Sequence, residues 1–403
     1  MSGRLGVVAG ACLTQFTVIG LLFSFGLFFK AFEAEFGWSR TMMSASSSLA
    51  FFMMGTLAMV GGRLSDRYGP TRVLAVSGVL YGLGYVLLSR IGAPWQLFAL
   101  CGTLIGLGLS THDVVTLSTV ARWFAAKRGI MTAVVKLGTA AGQVAVPPLA
   151  AVLIAALGWR PAVVVLGGGA AVLLLGAALL VRSPPVRAAS DLTGGGASSI
   201  GAGGGVDFAE ARRSRVLWTL CAVQFCVFSA LMTVPLHLPI HGMDLGMSTA
   251  GAATLLSVVG GASVLGRLVI GRLIDMIDGR RAFALCMTVL ICGLGGLTAL
   301  TETWALYVSV AVYGMSHGAL FVVVSPTVAE YFGMRAHGAI FGTVLFFGTL
   351  GGAAGPIVAG IAFDALGTYV PAFAALVALA VLALGLVLSL PRRPSDLIAE
   401  GVS

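Results

Sequence analysis

The sequence predicts an all-α membrane protein in which twelve transmembrane helices form two pseudo-symmetric six-helix bundles. Composition is the first ground: 58% of the 403 residues are hydrophobic and 10% are charged, with a mean hydropathy of +1.01, whereas soluble domains carry about 25% charged residues. The second is a series of apolar stretches close to the ~20 residues that a spanning helix requires. The third is a motif that recurs once, in a register that a second pair of segments shares.

In the first half the apolar stretches run near 6–29, 41–61, 73–89, 95–121, 129–157 and 161–181. In the second they run near 216–238, 247–270, 282–300, 303–329, 338–362 and 369–390. The ~10-residue alternation of a transmembrane barrel is not seen. Only Arg4 precedes the first stretch and no small-residue cleavage site accompanies it, so it reads as a retained helix, not a signal peptide.

An even number of spans places both termini on one side. With that side cytoplasmic, the inward segments hold eighteen of the 24 basic residues and the outward segments only Lys30, Arg40, Arg90 and Arg160, the asymmetry that fixes orientation. The expected location is the bacterial inner membrane, multi-pass, with both termini cytoplasmic. The net charge of +9 then reports topology and not a nucleic-acid partner. Cys12, Cys101, Cys221, Cys226, Cys286 and Cys292 lie inside apolar spans without metal-ligand spacing and read as small core residues. No metal or other cofactor is expected. Enzyme readings lack a nucleophile triad, a phosphate-binding glycine loop or a metal cluster.

The longest polar interruption, 182–215, contains Pro184, Pro185 and a glycine-rich run to Gly205, and reads as a cytoplasmic linker between bundles at 1–181 and 216–403. The halves repeat. Gly62-Arg63-Leu64-Ser65-Asp66 with Gly69 recurs 209 residues on as Gly271-Arg272-Leu273-Ile274-Asp275 with Gly279, and Ala121-Arg122-Trp123-Phe124 answers Ala329-Glu330-Tyr331-Phe332 at an offset of 208.

The segment from Gly62 to Arg72, with Asp66, Arg67 and Gly69, resembles the signature loop of the major facilitator superfamily, and its echo runs through Gly271, Asp275 and Gly279. The resemblance covers essentially the whole chain and implies the major facilitator fold. Glycines let two helix ends approach, and Asp66 can meet a helix N-terminus or an arginine, so the loop is expected to be a cytoplasmic latch; a plain tight turn is the other reading. Further segments are similar to the monocarboxylate porter branch, which includes the oxalate:formate exchangers. These are Phe36-Gly37-Trp38-Ser39-Arg40, then Trp123-Phe124 with Lys127-Arg128-Gly129, then Phe363-Asp364 with Gly367 and Tyr369. Arg267 matches the branch's helix-eight arginine, which the resemblance implies binds substrate carboxylate. Ser263 stands where many proton-coupled members carry aspartate, and helix eleven lacks the lysine of the oxalate exchanger.

Three charges fall within spans: Asp113, Lys136 and Arg267. Each costs ~3 kcal/mol in hydrocarbon on insertion scales and so marks a substrate or ion path. At ~1.5 Å rise per residue all three lie ~12 to 14 Å from the cytoplasmic edge, near the midplane where rocker-type transporters bind substrate. Arg267 can hold a carboxylate with two hydrogen bonds and Lys136 supplies a point charge. Two cations and one anion predict an organic anion, and the resemblance implies that it bridges helices five and eight. The other reading of Asp113 and Lys136 is a neutralised pair holding helices four and five together.

His112 beside Asp113, and His317 on helix ten, are candidates for carrying a proton, although a histidine bonded to a nearby carbonyl is the plainer account of each. His237 and His241 are expected to be solvated near the outer mouth. Gln15, Thr14, Gln143, Ser263, Tyr313 and Ser316 complete the polar candidates, with interhelical hydrogen bonding as the alternative for most. The expected function is secondary transport of a small carboxylate, such as lactate, pyruvate, formate or oxalate, by alternating access. Coupling would be to a proton or to a counter-transported anion, in a monomer embedded in the lipid bilayer. The rival reading is an exporter of drugs or other metabolites.

Overall fold

The computed structural model describes residues 2–124, 128–183, 205–274, 276–300, 302–333 and 336–391. Lys127, Arg187, Asp275, Arg335, Arg392, Arg393 and most of the glycine-rich linker lie outside the described residues, as does the side chain of Asp66. Every regular element among the described residues is helical. Helix α1 runs from Ser2–Ser24 through a tighter 3-10 turn at Phe25–Phe28 into Phe29–Phe36. It is followed by α2 (Arg40–Tyr68) and α3 (Pro70–Leu88). Helix α4 comprises Pro94–Leu100, a wide π turn at Cys101–Ile105, and Gly106–Trp123. The remainder are α5 (Arg128–Leu157), α6 (Trp159–Leu180), α7 (Arg215–Asp244), α8 (Thr249–Leu273), α9 (Gly279–Ala299), α10 (Thr303–Phe332), α11 (His337–Leu366) and α12 (Val370–Leu388).

Among the described residues, eleven of these helices are long and apolar enough to cross a membrane. The other is α2. Its 29 residues extend about 43 Å, more than the ~30 Å hydrocarbon core.

Several helix ends differ from the sequence expectation, α1 among them, which runs on to Phe36. The stretch expected as a loop from Gly62 is helical as far as Tyr68, so the turn contracts to Gly69, whose φ of 85° lies in the left-handed region that favours glycine. Pro70 then opens α3, where its missing N–H costs no helix bond. Helix α7 runs past the expected end near 238 to Asp244.

The chain divides into two compact units, one formed by Met1–Gly194, Val234–Gly261 and Pro356–Gly367, the other by Gly195–Thr233, Ala262–Gly355 and Thr368–Ser403. In unit one, α1 packs along α5 and α6, α3 along α6, and α2 along α4. In unit two, α9 packs against α10 and α12.

The repeat is written into this packing. In unit one a Cβ on Gly142 of α5 would lie 2.3 Å from the Phe16 carbonyl oxygen of α1; in unit two a Cβ on Gly351 of α11 would lie 2.0 Å from the Phe225 carbonyl oxygen of α7. Both glycines sit where backbone touches backbone, the close approach that small residues permit between membrane helices. Gly351→Val is therefore expected to abolish recovery of monodisperse protein from detergent, whereas Gly176→Val, where a Cβ would meet nothing within 4 Å, should leave recovery intact.

Prolines inside the helices free carbonyls that side chains then satisfy. Pro148 has no N–H for the Val144 carbonyl, and the Ser257 hydroxyl donates to that oxygen at 2.7 Å.

Candidate functional site

In unit one, α4 and α5 bring Asp113 and Lys136 together. Lys136 Nζ donates to Asp113 Oδ1 at 2.6 Å, and Gln15 Nε2 of α1 donates to the same oxygen at 2.7 Å. The Gln15 amide is used at both ends, because Thr139 Oγ1 donates to its Oε1 at 3.1 Å. Three helices thus share one polar network, and each member is a residue type that can be satisfied only by such a partner once buried. The pair is not sealed in: the Lys136 and Asp113 side chains keep 31% and 42% of their exposure.

His112 lies one position along from Asp113, with Nε2 at 3.8 Å from Asp113 Oδ1. Its Nδ1 is 2.5 Å from the Leu109 carbonyl oxygen, a local bond of the kind expected, and the ring is 3% exposed. It borders a small cleft lined by Thr14, Ser77 and Thr111. Gln143, further along α5, is 1% exposed, and neither of its amide atoms has a hydrogen-bond partner among the described residues.

Unit two holds the other candidates. A Cβ on Gly266 would lie 1.8 Å from the Met315 carbonyl oxygen, so α8 runs directly against α10 beside Arg267. His317 of α10 is 1% exposed, with its ring 5.7 Å from that of Tyr313 and 5.3 Å from that of Phe321. Ser263 is buried, at the point where α8 meets Gly318 of α10. The Tyr313 hydroxyl donates to the Ala230 carbonyl at 3.3 Å, and also approaches the Leu231 carbonyl, which Pro235 deprives of its helical N–H. Ser316 Oγ donates to the Cys286 carbonyl at 2.8 Å. These two hydroxyls are committed to the backbone.

The two copies of the motif differ in what the structure describes. Asp278 caps α9 by accepting from Arg281 N–H at 2.7 Å, and Glu330 of α10 accepts from Gly279 N–H at 2.7 Å. Two carboxylates therefore sit on the positive end of α9. Arg67 and Arg63 are exposed on the last turns of α2.

At the opposite end of α2, unit one contains a second charged cluster that the sequence reading did not assemble. Arg40 is 2% exposed. Its guanidinium donates to both carboxylate oxygens of Asp244 on α7, at 2.9 Å to Oδ1 and at shorter range to Oδ2. It also reaches Glu33 at 3.3 Å and lies 3.6 Å over the Phe363 ring of α11. Lys30 meets Asp244 at 2.5 Å. Asp364 caps α2, accepting from the backbone N–H of Arg40 and Thr41 at 3.0 and 2.8 Å. The signal lies in two sequence segments, Phe36 to Arg40 and Phe363-Asp364, which interlock here.

His237 and His241, expected to be solvated, are buried at 0% and 6% exposure. They lie inside α7, whose last turns pack into unit one. His237 Nε2 is within hydrogen-bond distance of Ser44 Oγ at 3.2 Å and the Pro356 carbonyl oxygen at 3.0 Å, so the ring is paid for by local partners in place of water. Of the cysteines, Cys292 is exposed and the others are buried or half-buried.

Comparison with known proteins shows the family and the fold. The profile described as Major Facilitator Superfamily matches residues 11–356 and 277–401. The chain is 27% identical to monocarboxylate transporter 13 of Rattus norvegicus over 98% of this chain and 92% of that protein. It is 27% identical to monocarboxylate transporter 11 of Homo sapiens over 91% and 78%. It is 24% identical to the uncharacterized MFS-type transporter YhjX of Escherichia coli K12 over 81% and 80%. Among solved structures, a bacterial homolog of the human lysosomal transporter Spinster, in an inward-facing and occupied conformation, superposes with a TM-score of 0.76 at 13% identity, covering 99% of this chain and 98% of that one. The nucleoside transporter NupG superposes with a TM-score of 0.77 at 12% identity over 96% and 99%.

Proposed function

We propose that this chain, which belongs to the major facilitator superfamily of membrane transporters and is not an enzyme, carries a small organic monocarboxylate by alternating access. The observation that carries the reading is the 2.6 Å contact of Lys136 with Asp113. It engages the one acidic residue of the intramembrane charge layer, and with Arg267 that layer has a net positive charge, which selects an anion. Arg267 is the carboxylate anchor, since a guanidinium matches a carboxylate with two parallel hydrogen bonds. Gln15, Gln143 and Ser263 are the neutral polar groups near the route. The monocarboxylate transporters among the relatives support this substrate class.

The moving bodies in this proposal are the sequence halves 1–181 and 216–403, joined by 182–215, in a monomer of the inner membrane with both termini cytoplasmic. The Arg40 cluster ties the first-half helices α1 and α2 to the second-half helices α7 and α11, so it closes one end of the route and opens in the other state. Asp113 with His112 is the candidate proton carrier for symport; anion exchange is the form that needs no proton.

The test is uptake of radiolabelled lactate, pyruvate, formate and oxalate into proteoliposomes, with and without an imposed proton gradient, for wild type and Arg267→Ala. The variant is expected to lose at least tenfold in uptake, about 1.4 kcal/mol. Dependence on the gradient distinguishes symport from exchange. Uptake of cationic dyes that carboxylates do not inhibit would replace this reading with that of an exporter.

A further inference from the structure

Helices α1 and α7 are related by the 209-residue offset, and at that offset Cys12-Leu13-Thr14-Gln15-Phe16-Thr17-Val18 answers Cys221-Ala222-Val223-Gln224-Phe225-Cys226-Val227. The glycine contacts confirm the register, since Gly142 meets the Phe16 carbonyl as Gly351 meets that of Phe225. Gln224 therefore stands in unit two where Gln15 stands in unit one.

Their surroundings differ completely. Gln15 bonds to Asp113 and Thr139, with Thr116 at 3.3 Å. The corresponding positions in the second half, at the offsets of 208 for α10 and 209 for α11, are Phe321, Gly348 and Val324. Gln224 is 1% exposed, and among the described residues neither its amide nitrogen nor its amide oxygen has a hydrogen-bond partner. A buried amide in this condition has lost its water and gained nothing in exchange. Leucine would fill the space without that loss.

What surrounds Gln224 is aromatic and reaches towards the anion anchor. A Cβ on Gly348 would meet both the Gln224 Cγ, at 2.9 Å, and the Phe228 ring, at 3.3 Å. The Phe228 ring packs on Phe321 at 5.4 Å, and Phe321 packs at 5.3 Å on His317 of α10, the helix against which α8 runs at Gly266, next to Arg267. Phe321 is 42% exposed, so the row is not closed off. One cation, a row of rings and one neutral amide therefore lie along a single unit.

We infer that Gln224 is a specificity residue, which rests on the carboxylate reading above and deepens it. In the transport cycle its amide bonds an uncharged hydroxyl or carbonyl group of a monocarboxylate whose carboxylate is held by Arg267 and whose apolar body lies on the aromatic row. An amide offers donors and an acceptor but no charge. Phe321 and Leu345 occupy the positions that correspond to Asp113 and Lys136, so those positions offer a second carboxylate no cation, and a monocarboxylate is preferred over a dianion. The preferred class is a hydroxy- or keto-monocarboxylate.

The test uses the full-length protein and Gln224→Leu. Two quantities are measured: the melting temperature without substrate, and uptake of lactate against propionate, which has the same carbon skeleton without the hydroxyl. The variant is expected to melt at or above wild type, keep its propionate uptake, and lose at least tenfold of the preference for lactate. A site built to bond a hydroxyl discriminates strongly against the analogue that lacks one. A melting temperature several degrees below wild type would show that the amide is bonded within the protein, and an unchanged preference would show that it reads no substrate group; either overturns the inference and leaves the carboxylate reading standing. A wild type that carries no carboxylate at all ends both.

Discussion

Replacing Arg40 by alanine is expected to destabilise the purified protein by about 3 kcal/mol, the lower range for breaking a buried ion pair, and to cut uptake by more than tenfold. The size follows from the environment. The guanidinium is almost wholly buried, whereas Asp244 keeps 21% of its side-chain exposure, so the orphaned carboxylate retains some water and Lys30 as compensation. The lost contacts join α1 and α2 to α7 and α11, so the variant should also increase labelling of a cysteine placed at Ser44 by a membrane-impermeant reagent added from that side. Thermal melting of Arg40→Ala, Asp244→Ala and the double variant measures the coupling. The double variant should recover about 0.5–3 kcal/mol of the summed single losses, the range for groups in direct contact. Strictly additive losses would mean that the pair contributes no mutual stabilisation.

A second large effect is expected at Lys136 and Asp113. Lys136→Met leaves the Asp113 carboxylate with the Gln15 amide but without its cation, a loss that the 42% exposure of that carboxylate only partly offsets. Asp113→Asn keeps an acceptor for Gln15 but leaves the lysine charge without its carboxylate. Each single change should reduce uptake by one to two orders of magnitude, and combining Lys136→Met with Asp113→Asn should restore stability by removing both charges together. The coupling ion is read in the same experiment. Asp113→Asn that loses gradient-driven accumulation but keeps substrate counterflow identifies this carboxylate as the proton carrier. Equal loss of both would assign it to structure.

The spans were legible because a membrane helix announces itself in composition, and the intramembrane charges because each is so costly that it stands out. Simple depth arithmetic set Asp113 and Lys136 at one level, and the structure joins them. What the sequence concealed was the direction in which polar groups point and where helices end. Tyr313 and Ser316 look like lining residues in the linear pattern, yet their hydroxyls turn to carbonyls of the helices beside them. Arg40 looked like a charge of an outward loop, and His237 like a solvated residue, because burial at helix ends depends on partners such as Asp244 and Pro356 that are more than a hundred positions away. The segment after Gly62 looked like a loop, yet Gly69 alone suffices to turn the chain.

The pairing of Asp113 with Lys136 also bears on how this carrier would respond to membrane voltage. If, as proposed, the anion binds Arg267, then in the exchange form, where Asp113 stays ionised, the pair sums to zero, the charge layer of the empty carrier retains the charge of Arg267, and a bound monoanion cancels it. The loaded carrier would then reorient without moving net charge, while the empty carrier would return bearing one. A charge that crosses the full field experiences about 2.3 kcal/mol per 100 mV. An applied potential should therefore alter net uptake, which requires the empty return, and leave one-for-one exchange nearly unchanged.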